Sequence, residues 1–379
     1  MRIGILTYFG DLNSGTNMQA YSLQEILRKT YNKDSIVEII NYHAWNRLLD
    51  WHPYLTSASP TSLINDLKRL KKYYHFINTK LILTPKRIVS KKPDKVIKFI
   101  KEQNYDAIYV GSDTLLELDR YHENEVSAFW LPPEIKIKKF LIAASSKNLE
   151  YYKLSDFQKK YLADSISDFS LLGVRDDATA RLIKEFTNEK IQIVPDPTFS
   201  YNIDYTYVEK YLKTKKINLN KPTICLHLTK ETPYSEELAT KLKSKGYQIA
   251  SLRPAYWADI LLNDLSPLEL VGIFKYFTAV VTHRFHDSIF CFKNKTPVIN
   301  IPGSFSFANS HGESKYSSLF KQFNVYETNL IKTEKENNTE NILQLIDKTI
   351  IDFPKETIAL KLVDLDASIH KYVEKTKNI

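Results

Sequence analysis

Two cysteines are all that the 379 residues contain, and no stretch approaches the roughly 20 consecutive apolar residues that a membrane-crossing helix needs. Both thiols, Cys225 and Cys291, sit inside apolar runs of strand or helix character, which predicts reduced, buried side chains and no disulfide. The N-terminus, MRIGILTYFG, is too short and too polar at its end for a signal sequence and reads as a strand, so a cytoplasmic protein is expected. The loop that follows it is neither a GxGxxG fingerprint nor a Walker loop, since no GK[ST] is present. No RNP-like, zinc or helix-turn-helix pattern accompanies the basic segments, and nucleic acid is not an expected partner.

What is present is an ordinary globular composition, 43% hydrophobic and 26% charged, so disorder is not the leading reading. The length suggests two domains, each large enough for a core. Fifty-three basic against 44 acidic side chains leave a formal charge of +9. Such an excess favours phosphates or an anionic membrane face, although a lysine-rich solvated surface accounts for most of it. The densest basic part, Lys68-Arg69-Leu70-Lys71-Lys72-Tyr73-Tyr74-His75-Phe76, lies in a segment read as amphipathic helix from Ser62 to Ile100. Its aromatic-basic faces suit either solvent or a membrane surface.

Along the chain, short apolar runs end repeatedly in small polar or charged punctuation. RIGILTY (from Arg2) leads into Asp11, Asn13, Ser14, Gly15, Thr16 and a helical pattern from Met18. DAIYV ends at Gly111-Ser112-Asp113, KFLIAA at Ser145-Ser146, LLGV at Arg175-Asp176-Asp177, and the run to Val194 at Pro195-Asp196-Pro197. Asp176 or Asp177 is positioned to cap the helix after it. In a parallel sheet these ends share one rim, where open α/β folds bind ligands. After Pro197 the pattern restarts, with TICLHL, YQIASL, and a helix that takes Ser266 as N-cap and Pro267 as its first residue. Residues 1–200 and 201–379 are therefore read as two α/β halves offering strand ends to a shared cleft. The last helix is free to pack back on the first half.

The stretch AVVTHRFHDSIFCFKNKTPVINI, from Ala279, concentrates the chemistry. A buried strand delivers Thr282-His283-Arg284-Phe285-His286-Asp287 before the apolar pattern resumes, so an arginine and two imidazoles stand where an anion site is expected. His283 and His286, three apart, also admit a metal pair, but no motif supplies a third ligand, and no metal is predicted. Asp113 and Asp196 at strand ends read as caps.

These segments resemble the polysaccharide pyruvyl transferase family. The resemblance runs from the first strand, loop and helix through GSD, VRDD and VPDPT to the T-x-R-F-H segment and Lys315. It implies two Rossmann-like domains facing a central cleft, similar to GT-B glycosyltransferases, and transfer of pyruvyl from phosphoenolpyruvate to a sugar as a ketal. By this resemblance Arg284 and His286 are catalytic, and Arg175, Arg284, Phe285, His286 and Lys315 hold the donor. Asp11, Asn13, Ser14, Gly15, Thr16, Ser112, Asp113 and Ser145 form the cleft loops on the acceptor side. Phe285 replaces the family's usual Leu, and Thr16 replaces a carboxylate found in some members. No cofactor is implied beyond phosphoenolpyruvate as co-substrate, and the acceptor is a sugar, free or lipid-linked. Two arginines suit a donor with adjacent carboxylate and phosphate, because each planar fork makes two parallel hydrogen bonds. His286 suits protonation of the donor methylene, because imidazole titrates near neutral pH. A sugar-nucleotide glycosyltransferase and a non-catalytic glycan-binding module are the competing readings.

Overall fold

The computed structural model describes residues 1–44, 60–119, 121–147, 149–228, 232, 234–302, 313–333 and 336–379, with backbone only at 60–62. The polar loop read through His311 and Gly312, and Trp45, lie outside the described residues. Among the described residues the first sheet has six strands in the order β2-β1-β5-β6-β7-β8, all parallel. They are β1 (Arg2–Leu6), β2 (Ile36–Ile39), β5 (Ala107–Val110), β6 (Lys138–Ala144), β7 (Leu171–Val174) and β8 (Ile191–Ile193). A two-stranded pair, β3 (Tyr42–His43) with β4 (Ile88–Val89), flanks it. The second sheet has five parallel strands in the order β11-β10-β9-β12-β13: β9 (Thr223–His227), β10 (Gln248–Ser251), β11 (Ile260–Leu261), β12 (Ala279–Thr282) and β13 (Val298–Asn300). Every residue of β5 and β12 is buried, as expected where helices cover both faces of a parallel sheet.

Strand order reverses between β1 and β5 in the first sheet and between β9 and β12 in the second. Such reversal points open a crevice beyond the carboxyl ends of the strands. Helix α1 (Ser14–Thr30) starts beside the first crevice, capped by Asn13, whose Oδ1 accepts the Gly15 N–H at 3.1 Å. It begins four residues earlier than the apolar periodicity suggests, so Ser14, Gly15 and Thr16 form a helical first turn rather than a loop. The carboxamide of Asn17 explains the early start. It donates to the carbonyls of Asp11 and Asn13 and accepts from Gly10 N–H, replacing the loop hydrogen bonds that the small polar residues seemed to need.

The segment read as one amphipathic helix from Ser62 to Ile100 is instead α2 (Pro60–Lys80), then β4, then α3 (Pro93–Glu102). Pro85 and Pro93 punctuate it, because proline cannot donate to a continuing helix. The aromatic-basic face is divided as well. Tyr73 and Phe76 are buried, whereas Leu63, Ile64, Leu67 and Tyr74 are exposed. Ser14 Oγ bonds Tyr73 Oη, which fixes α2 against α1.

The halves are joined by packed helices. Lys72 of α2 reaches Glu269 at 3.0 Å, in the first turn of α8 (Pro267–Ile273), and sits 4.6 Å from the Tyr211 ring of α6 (Thr206–Lys215). The Ser266 cap and leading Pro267 occur as the sequence indicates, with Glu269 closing a capping box. The C-terminal helix α13 (Lys355–Lys377) lies across the first sheet: Tyr372 Oη donates to Leu141 O at 2.6 Å, and Tyr109 Oη and Thr376 Oγ1 are 2.5 Å apart. Cys225 and Cys291 are fully buried, free thiols. Among the described residues no helix is long and apolar enough to cross a membrane.

Candidate active site

The two crevices face each other. From the second, helix α9 (Phe285–Asn294) begins directly after β12, with Arg284 as its N-cap, so Phe285, His286 and Asp287 make its first turn. From the first, Gly15 of α1 lies against the His286 ring. A Cβ on Gly15 would stand 2.1 Å from Nδ1 and 2.6 Å from the His286 Cβ, closer than any side chain tolerates. Hydrogen in place of a side chain therefore allows this contact between the halves.

Beside that contact Arg175 leaves the end of β7, 4% exposed. Its Nη1 meets Asp196 Oδ2 at 3.1 Å, and its guanidinium stacks 4.7 Å from the Phe285 ring. Its Nε and Nη2 are buried and have no hydrogen-bond partner among the described residues. Asp196 collects the surrounding donors. Oδ2 also accepts from Gln19 Nε2 at 2.6 Å, while Oδ1 takes the N–H and hydroxyl of Thr198. His286 Nε2 is 3.6 Å away, an ion-pair distance too long for a hydrogen bond, and that nitrogen is likewise buried and unbonded. Burial alone would push the Asp196 carboxyl up, but His286, Arg175 and Thr198 together hold it well below the usual carboxylate range. It is an anion that fixes the arginine and orients the imidazole.

Lys315 opens α10 (Lys315–Gln322), behind the Ser314 cap, with Nζ 5.3 Å from the Phe285 ring on which Arg175 also lies. Burial, with Arg175 close by, pushes the ammonium down to about 8, against the pull of Asp113, Glu117 and Asp176. On the opposite rim Thr16 Oγ1 donates to Asp113 Oδ2 at 3.1 Å, coupling α1 to the end of β5. Ser112 is fully buried with its hydroxyl unbonded. Gly111 before it has no alternative, since a Cβ there would sit 1.8 Å from Ile142 O. Ser145 N donates to Asp113 O at 2.9 Å, and its Oγ accepts from Lys147 N. Asp11 is buried, with its carbonyl held by Asn17.

The fold thus gathers Arg175, Phe285, His286 and Lys315 with Gly15, Thr16 and Asp113. It places three other named residues elsewhere. Ser14 is engaged with Tyr73, and Asn13 is the α1 cap. Arg284 is exposed at the N-terminus of α9, where its charge acts on His227, His283 and Asp287. His283 has a structural explanation. Its Nδ1 donates to Ile301 O at 2.5 Å and its Nε2 accepts from Thr232 Oγ1 at 2.9 Å, so both nitrogens are occupied. Burial, reinforced by Arg253 and Arg284, keeps that ring neutral. Sequence reasoning passed over two residues. Gln19 reads as one helical polar residue among many. Asp196 was read as a cap, which it is, although its position between two prolines at a strand end marked a fixed carboxylate.

The whole-chain architecture is that of GT-B-type sugar-processing enzymes. The UDP-GlcNAc 2-epimerase of Neisseria meningitidis bound to UDP-GlcNAc superposes with a TM-score of 0.55 over 99% of both chains at 10% identity. The UDP-GlcNAc 2-epimerase of Methanocaldococcus jannaschii does so with a TM-score of 0.53, over 96% of this chain and 99% of that one, at 12% identity. At such identities the likeness concerns the fold. No curated protein matches the sequence. The sequence model of the polysaccharide pyruvyl transferase family matches residues 13–304, and the chain belongs to that family.

Proposed function

We propose that the protein transfers the pyruvyl group of phosphoenolpyruvate to two hydroxyls of a sugar, forming a ketal and releasing phosphate. The observation that carries this reading is the set of unbonded buried donors, Arg175 Nε and Nη2 and His286 Nε2, beside the Lys315 ammonium. Buried donors are seldom left without acceptors, so their convergence marks the seat of an anion. A small trianion with carboxylate and phosphate both carried by C2 suits two free arginine nitrogens and one lysine better than a neutral sugar does.

In this reading Arg175 and Lys315 bind the donor, whereas Arg284, exposed at the N-terminus of α9, acts only through its charge. His286 gives its proton to the methylene carbon, and C2 becomes electrophilic. Asp196, 3.6 Å from Nε2, keeps the imidazole oriented. The rim with Thr16, Ser112, Asp113 and Ser145 receives the sugar. A lipid-linked sugar is supported by the outer face of α2, where Leu63, Ile64, Leu67 and Tyr74 are exposed beside Lys68 and Lys71.

The test is incubation with phosphoenolpyruvate and a panel of p-nitrophenyl glycosides. Released phosphate and a mass gain of one pyruvyl ketal on the glycoside are the expected result. Nucleotide release from a sugar nucleotide would favour a glycosyltransferase instead, and sugar binding without turnover a binding module. Sedimentation with phosphatidylglycerol vesicles, weakened by Leu67→Glu, checks the α2 face.

A further inference from the structure

Ketal formation also requires a group that takes the proton of the attacking hydroxyl, a role that the reading above gives to neither the donor-binding Arg175 and Lys315 nor the acid His286. A second polar cluster lies at the crevice of the second sheet, between the carboxyl ends of β9 and β12, where the strand order reverses. His227 is the last residue of β9. Its Nδ1 is 2.5 Å from Oδ2 of Asp287, the neighbour of His286 in the first turn of α9. The same oxygen accepts from Thr282 Oγ1 at 2.8 Å, at the end of β12, and Asp287 is 4% exposed. A carboxylate only accepts, so Nδ1 carries the proton and Nε2 keeps its lone pair. Among the described residues that Nε2 has no hydrogen-bond partner, and the His227 side chain keeps 11% of its surface exposed. His283, whose backbone N–H meets His227 O, is the control, because both of its ring nitrogens are bonded.

From this geometry we propose that His227 is the general base toward the acceptor hydroxyl, with Asp287 as the residue that positions it. The inference rests on the pyruvyl-transfer reading above. As the first sugar oxygen bonds C2 of the donor, its proton passes to His227 Nε2, while the methylene carbon receives the proton of His286. The second hydroxyl then bonds C2 as the C2–O bond to phosphate breaks, and its proton leaves on the hydrogenphosphate. Proton exchange with solvent restores both histidines, so each turnover balances. A base must be neutral, and burial lowers the His227 pKa. Arg284 and Arg253 lower it further, and Asp287 opposes them. Cys225, on the same strand and in the field of Asp287, is held protonated by burial. The competing role for the pair is a strut joining β9 to α9.

The experiment uses the full chain and the glycoside on which the wild type releases phosphate. His227→Gln and His227→Asn should lower kcat about 100-fold or more, the scale of general base catalysis, with the affinity for phosphoenolpyruvate, read by calorimetry, little changed. Asp287→Asn should lower kcat and move the acid limb of the kcat profile to lower pH, because the imidazolium loses its anionic neighbour. A strut would lower the melting temperature and leave that limb in place. Near-normal kcat in both His227 variants, or an unmoved limb in Asp287→Asn, overturns the proposal. If the wild type releases no phosphate with any glycoside, the parent reading fails. The open nitrogen is then judged by diethylpyrocarbonate and peptide mass mapping: His227 labelled ahead of His283 supports it, and a protected His227 removes it.

Discussion

The first turns of α1 and α9 meet in the middle of the molecule, and they are opposites in chemistry. Each follows a strand end at the point where its sheet reverses order. The α1 turn, Ser14-Gly15-Thr16-Asn17, carries no charge and is buried throughout. The α9 turn, Arg284-Phe285-His286-Asp287, carries two ionisable side chains and an arginine cap around a phenylalanine that two cations share. One turn contributes space and hydrogen bonds, and the other contributes charge. The pairing works because a glycine without a side chain lets an imidazole from the other half reach the carboxylate beneath it. Polar small residues after a strand are therefore not always ligand-binding groups. Here Gly15 and Ser14 serve the approach of another element.

Substitutions can separate the two roles. The largest effect is expected from His286→Gln, which removes the acid from the charged turn. Phosphate release should fall by about 10²–10⁴-fold while calorimetry still detects donor binding, and near-normal release would take His286 out of the acid role. Next is Asp196→Asn, which leaves the Arg175 charge buried without its anion. Loss of one partner of a buried pair costs about 3–5 kcal/mol, to be read as a lower denaturant midpoint at neutral pH. The sign with pH follows from the depressed carboxyl. Its stabilisation is complete above the ordinary value of 3.8 and is lost as pH falls through the lower folded-state value. The gap between wild type and variant should narrow in strong acid and stay constant between pH 5 and 7.

Gly15→Ala tests the uncharged turn. The added methyl must displace His286 or separate α1 from α9, at a cost of about 1–3 kcal/mol for overpacking, and activity should fall more than stability does. A variant as active as the wild type would mean that the contact between the turns is not needed. The smallest effect concerns Lys315. With its ammonium pushed down to about 8, donor affinity should weaken as pH rises through that value, and Lys315→Met should remove this limb from the binding profile.

Much of the fold was legible because a parallel sheet buried on both faces writes itself as short apolar runs ending in punctuation. β5, β6, β7, β9 and β12 stand within a residue or two of the runs that announced them. The Ser266 and Pro267 helix start was equally readable, since capping is a local interaction. The two-residue strands β3, β4 and β11 were not, because pairing with a neighbour defines them more than their own pattern does. At the site, Arg175, His286 and Lys315 were marked by type and motif. Gln19 was not, because its value lies in a bond to Asp196, 177 residues away.

The sequence by itself determined two runs of parallel strands, the rim on which their ends fall, and the residue types that gather in the T-x-R-F-H turn, because periodicity and capping act over a few residues. Only the tertiary structure decided which of those residues meet. Arg284 and His286 are two apart in the chain yet face different surroundings. Gly15 and His286 lie in different halves of the chain and touch. Side chains around a helix turn diverge by about 100° per residue, and contact across a cleft depends on how two separately built sheets are docked.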